Sequence, residues 1–159
     1  MKMSNIILGA TYRDVMSKAL FRGKPVNPID LDALPEFHKW VKDGWIYGYL
    51  IGKDVIVGEI VDFENDFFAT EFWCRVKPET VGQFTGLKDE NGIEIYEGDI
   101  LECYDSLTGS TFTGVVKFAN GSFMVDSVSI THYRWVDYVR EIIGNIHETP
   151  EILRSEADA

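Results

Sequence analysis

The stretch Val76–Leu101 constrains the fold of this chain more than any other part of it. Turn residues recur there every few positions: Pro78, Gly82, Gly86, Asn91-Gly92 and Glu97-Gly98-Asp99. Between them lie only short apolar or β-branched runs, such as Val81–Thr85 and Ile93–Tyr96. Glycine adopts positive φ without steric cost, and Asn-Gly favours a tight hairpin turn, so the pattern reads as short strands folded back on one another.

The same alternation extends along most of the chain. Trp45–Ile51 and Val55–Val61 read as a hairpin about Gly52-Lys53-Asp54. Phe67–Val76 reads as a strand with Phe68, Thr70, Phe72, Cys74 and Val76 facing a core. Ala69, Glu71, Trp73 and Arg75 fall on the wetter face, with Trp73 partly covering it. Strands are also expected at Leu20–Lys24, Ile100–Tyr104, Phe112–Phe118, Ser122–Val125 and Glu141–Ile146, with a hairpin at Asn120-Gly121. Residues 25–36 read as a loop, Phe37–Lys42 as one helical turn, and 126–140 give no clear pattern. Tyr12, Val15, Met16, Ala19 and Leu20 recur at helical spacing, and Thr149-Pro150-Glu151 reads as an N-cap, a first-turn proline and an acidic first turn. About ten short strands without alternating long helices predict a mainly β fold, a mixture of small barrel or sandwich sheets with short N- and C-terminal helical segments. The expected division is an arm or short helix over 1–19, a β domain over 20–153 and an acidic tail over 154–159.

A chain of 159 residues can bury a core without a metal or disulfide. Its apolar runs fall short of the roughly 20 residues of a membrane span, and Ile6-Ile7-Leu8 is too weak for a signal peptide. Cys74 and Cys103 sit in strand-like surroundings without metal-ligand spacing, and read as buried free thiols in a reducing cytoplasm, a disulfide between them being the alternative. Charge is uneven. Residues 1–80 carry 10 Lys/Arg and 12 Asp/Glu, a net of −2, whereas 81–159 carry 5 and 14, a net of −9. An acidic second half argues against a phosphate-binding surface. It serves solubility or, on the sharper reading, presents an acidic face to a basic partner.

Candidate chemistry is sparse. His38, His132 and His147 stand in separate segments, and no Ser or Cys sits in a Gly-x-Ser-x-Gly context. Glu94, Glu97, Asp99 and Glu102 lie close enough in sequence to raise a divalent-cation reading, with Glu97 and Asp99 the weak candidates. The competing reading has Asp99 bonding a backbone N–H of its own turn. Gly82, Gly86, Gly92 and Gly98 lack the Gly-Lys-Ser/Thr of a phosphate loop and read as backbone positions. Trp45, Tyr47 and Tyr49 share one face of their strand. Without interleaved Lys/Arg they suit a core or subunit interface better than base stacking.

Three blocks resemble the YopX family, small proteins encoded largely by phages and prophages. They are Phe21-Arg22-Gly23-Lys24; Gly44-Trp45-Ile46-Tyr47-Gly48-Tyr49-Leu50; and Pro78–Ile100, with Thr80-Val81-Gly82-Gln83-Phe84-Thr85-Gly86-Leu87-Lys88-Asp89 and Tyr96-Glu97-Gly98-Asp99-Ile100 at its centre. The ending Ile143-Gly144-Asn145-Ile146-His147-Glu148 is similar as well, so the resemblance spans roughly residues 20–153. Residues 1–19 and 25–43 depart from the family pattern. The resemblance implies a β-rich, self-associating protein of phage or prophage origin, with no catalytic residue to carry over. The resulting expectation is a non-enzymatic accessory protein in the cytoplasm of a bacterial host. It would form a homo-oligomer, need no cofactor and bind neither nucleic acid nor membrane. An acidic interaction protein that occupies a host nucleic-acid-binding protein is the alternative, and a metal-dependent enzyme a weaker one.

Overall fold

The computed structural model describes residues 6–7, 10–11, 20–128 and 130–157. The chain is mainly β and divides into two compact units, Met1–Pro78 and Glu79–Ala159. No closed barrel forms among the described residues. Most of the N-terminal helical pattern, including Tyr12, Val15, Met16 and Ala19, lies outside them.

The first unit opens with a small antiparallel pair, β1 (Ile6–Ile7) and β2 (Ala10–Thr11). Its sheet is built on β5 (Trp45–Ile51). Both β3 (Phe21–Gly23) and β4 (Val41–Lys42) pair with β5, as does β6 (Val55–Val57), which in turn pairs with β9 (Trp73–Arg75). All these pairings are antiparallel. The helical turn expected at Phe37–Lys42 lies earlier, as a 3-10 turn over Pro35–Phe37, because Val41 and Lys42 are drawn into the ladder with Ile46 and Trp45. The core holds Ile46, Ile56 and Val76, with Phe72 set between Phe37 and Trp40 at ring-centroid distances of 4.8 and 5.5 Å. Trp40 Nε1 donates to Glu71 Oε2 at 2.9 Å, so the buried indole keeps a partner.

The expected strand Val55–Val61 is two strands. After β6 the chain bends at Gly58-Glu59 and continues as β7 (Ile60–Phe63), which pairs with β8 (Phe68–Thr70) through a bulge between Ile60 and Asp62. The bend keeps its ladder, since Gly58 N–H donates to Phe72 O at 3.1 Å and Glu71 N–H to Glu59 O at 2.8 Å. Residues 55–75 are therefore one long two-stranded ribbon. Its inner half belongs to the sheet, and its outer half, β7–β8, is an arm.

The second unit holds the hairpin β10 (Gly82–Lys88)–β11 (Glu94–Tyr96) and a five-stranded antiparallel sheet. The sheet order is β15 (Thr131–His132), β14 (Ser122–Asp126), β13 (Thr111–Ala119), β12 (Asp99–Tyr104), β16 (Val139–Asn145). Asn120 and Gly121 both have positive φ, 53° and 79°, as the two-residue turn between β13 and β14 requires. The core is Ile95, Leu101, Cys103, Val116, Val125 and Trp135. Trp135 comes from a 3-10 turn in the segment whose sequence gave no clear pattern, and its Nε1 donates to Phe123 O at 3.1 Å. Helix α1 (Glu151–Ala157) ends the described chain, extending four residues, 154–157, into the stretch expected to be tail.

Candidate functional site: braced signature turns and an apolar arm

The signature residues of the second unit are occupied with holding turns. The Asp89 carboxylate is buried. Its Oδ1 accepts from the backbone N–H of Asn91 and of Ile93, both at 2.9 Å, and its Oδ2 from Ile142 N–H at 3.3 Å. One side chain thus closes the β10–β11 turn, where Gly92 sits, and ties it to β16. Asp99 acts in the same way. Its Oδ2 accepts from Tyr96 N–H at 2.8 Å, and its Oδ1 from the Asn145 side-chain amide at 3.2 Å. The turn-bonding reading of Asp99 is the one the geometry supports. Glu97 points elsewhere, its Oε1 accepting from Phe118 N–H at 3.3 Å. Among the described residues no group of three or more His, Cys, Asp or Glu is placed to hold a metal ion.

Between Glu97 and Asp99, Gly98 has φ +91°, a conformation that L side chains rarely adopt. Its N–H donates to Val116 O at 2.9 Å, and its carbonyl accepts from Ile146 N–H at 3.0 Å. Gly144 is required for a different reason. A Cβ there would collide with Thr149 Oγ1 and lie 2.6 Å from Ile152 Cδ1, so the start of α1 packs directly on its backbone. Thr149 also clamps Asn145, accepting from its N–H at 2.9 Å and donating to its carbonyl at 3.2 Å. In β10 the Thr85 hydroxyl donates to Ile95 O at 2.9 Å and accepts from Leu87 N–H at 3.2 Å. Gln83 O accepts from Glu97 N–H, and the Gly82 Cα faces the Glu97 carbonyl. Thr80 and Tyr96 are buried, and Gly86 takes positive φ.

In the first unit Trp45 is buried, with Arg22 Cζ 4.5 Å and Lys24 Nζ 4.6 Å from its ring centroid. Its own strand lacks interleaved cations, but β3 and the residue after it supply them. A buried indole already faced by two cations is not a base-stacking platform. Gly23 and Gly48 lie under Val76 and the Val57 carbonyl, and Tyr47 N–H donates to Trp40 O at 2.8 Å. Phe21 pairs with Gly48 and is half-buried. Tyr49, also half-buried, leads to a different feature.

Tyr49, Ile51 and Val57 form the floor of a groove of about 410 Å³, walled by Ile60, Phe68 and Thr70 of the arm. Beyond the groove the arm is exposed along its whole length. All four residues of β7 are exposed, Val61 at 63% and Phe63 at 73%, as are Phe67, Phe68 and, at the start of β9, Trp73. The expectation that Phe68 lies in the core is corrected here. Phe72 and Val76 are buried and Cys74 is half-buried, but the ribbon leaves the sheet before Phe68, which is about half exposed. These arm residues are the ones that sequence reasoning passed over. Their signal was present: apolar residues on both strand faces over Ile60-Val61 and Phe67-Phe68, separated by the acidic Glu64-Asn65-Asp66.

Both cysteines are free thiols. Burial pushes the Cys103 thiol up to about 12, which keeps it protonated and unreactive near neutral pH. The less buried Cys74 thiol is also raised by burial. No helix among the described residues is long and apolar enough to cross a membrane.

These features define a mainly β protein whose polar signature residues brace turns and whose apolar surplus is concentrated on one arm. The family model described as YopX protein matches residues 40–154, and the chain belongs to that family. The match begins after the Phe21–Lys24 block. Among solved structures, the chain is similar to the crystal structure of protein EF1440 from Enterococcus faecalis, at 23% identity over 84% of this chain and 96% of that one, with a TM-score of 0.45. No curated protein matches the chain.

Proposed function

We propose that this YopX-family chain is a non-enzymatic phage or prophage accessory protein that works as a self-associated assembly in the host cytoplasm. The observation that supports this is the arm. An isolated two-stranded hairpin is marginal in water at best, and this one exposes large apolar side chains along β7 and β8. Such a segment is stabilised when a partner covers it. Both oxygens of the braced carboxylates Asp89 and Asp99 accept hydrogen bonds from their own turns and from β16, which fits a structural role better than acid–base or metal work. Sedimentation velocity from about 1 to 100 µM tests the reading. It expects a dimer or larger species that persists through most of the range, and a monomer throughout would overturn it.

A second reading draws on charge. Residues 58–72 carry five acids and no Lys or Arg, so a basic, apolar host protein would complement the arm. Capture of such a protein, lost at roughly 0.5 M salt where screening is strong, would support it.

A further inference from the structure

We infer that the arm binds a second copy of this chain reciprocally: Phe63 at each arm tip, which shares the groove's face with its cross-strand partner Phe68, seats in the partner copy's groove, against Tyr49, Ile51, Val57, Ile60 and Phe68. This rests on the self-association proposed above and names its contact.

Three observations carry it. The first is the placement of tip and groove. Groove residues Ile60 and Thr70 form one register pair of the arm, and Phe63 and Phe68 form another nearer the tip. At about 3.3 Å per residue, Phe63 stands roughly 10 Å beyond Ile60 along one ribbon, opposite the groove's outer wall Phe68. Two arms laid antiparallel about a two-fold axis therefore bring each tip over the other's groove. A two-fold interface requires this property, one patch carrying both the projection and its receptacle.

The second is area. On the groove's face Ile51, Ile60, Phe63, Phe68 and Trp73 are each about half to three-quarters exposed. At roughly 100 Å² apiece they offer on the order of 500 Å² of apolar surface per copy. A stable dimer buries about 800 Å² per partner, so this face supplies more than half of it.

The third is charge. The tip carries Glu64 and Asp66, and the groove ends at Ile51, two residues before the exposed Lys53. A tip lying along the groove with its acids toward Lys53 pairs opposite charges and keeps the two acidic tips apart.

The test uses the full chain with Cys74→Ser, so that the introduced thiols react with each other. Ile51→Cys and Phe63→Cys proteins are mixed and oxidised gently, alongside a control pairing Ile51→Cys with Leu107→Cys, Leu107 being 95% exposed. The inference expects a covalent heterodimer from the first pair at least tenfold over the control. It also expects Phe63→Ser to be monomeric at 10 µM with the wild type's far-ultraviolet circular dichroism, since that side chain faces solvent within one copy. If the wild-type chain sediments as a monomer, the self-association reading fails and this inference with it. If the wild type associates but the cross-link stays at control level and Phe63→Ser still associates, the arm-in-groove contact alone is overturned.

Discussion

The Asn145 side-chain amide donates to Asp99 Oδ1 across the β12–β16 pair, joining residues 46 positions apart in the chain. Both side chains are buried, and the same carboxylate holds Tyr96 N–H through its other oxygen. Asp99→Ala would strand two buried donors at once. The expected loss is about 2–4 kcal/mol in urea unfolding, from the cost of leaving such groups unpaired. Mg²⁺ or Ca²⁺ should leave the wild-type melting temperature unmoved. A cation-dependent rise that Asp99→Ala abolishes would instead favour a metal site.

Gly144→Ala places a methyl group against Thr149 Oγ1 and Ile152 Cδ1, where α1 packs on β16. The added atom must displace the helix start and with it the Asn145–Thr149 clamp. A loss of about 1–3 kcal/mol is expected from overpacking of this kind. Hydrogen exchange should show the Asn145 and Ile146 amides losing protection before the β12–β13 ladder does. Equal protection in variant and wild type would contradict this packing.

His132 stacks face to face on Phe112, with ring centroids 3.6 Å apart and planes within 9°. Burial lowers its pKa below the ordinary histidine value. The unfolded chain therefore binds the proton more readily than the folded one, and stability rises with pH across the interval between the folded value and about 6.5. The full stability is present above that interval and falls as acid protonates the ring. Urea midpoints from pH 7.5 to 5 should decline less steeply in His132→Asn than in the wild type. Parallel declines would assign the pH dependence to other groups.

Trp73 gives an optical check on the arm. At 67% exposure its emission in an isolated copy should be that of a solvated indole. The difference spectrum between the wild type and Trp73→Phe should shift to shorter wavelength as concentration rises through the association range. A difference spectrum independent of concentration would remove Trp73 from the contact.

The parts of this fold that could be read from the sequence are those decided locally. Asn120-Gly121 and Gly98 announce their turns because few residues other than glycine and asparagine accept positive φ, and the neighbouring strands follow from alternation. The bond from Tyr96 N–H to Asp99 was legible for the same reason, since it spans three residues. What escaped depends on distant partners. Alternation placed Phe68 with Phe72 and Val76 on one face, but it cannot say whether another element covers that face at every position. Val55–Val61 looks continuous because the bend at Gly58 shows only when Phe72 and Glu71 pair across from it. The cations on Trp45 come from β3 and the residue after it, and Trp135 reaches its core from a segment with no periodicity.

The ribbon over residues 55–75 has a further consequence. Among the described residues β7 pairs only with β8, so the outer arm can be shortened or extended by whole cross-strand pairs without moving a residue of the sheet beneath it. Reach is thereby separated from fold. Related chains could change how far this arm projects by insertion and deletion in one hairpin while the rest of the molecule stays as it is.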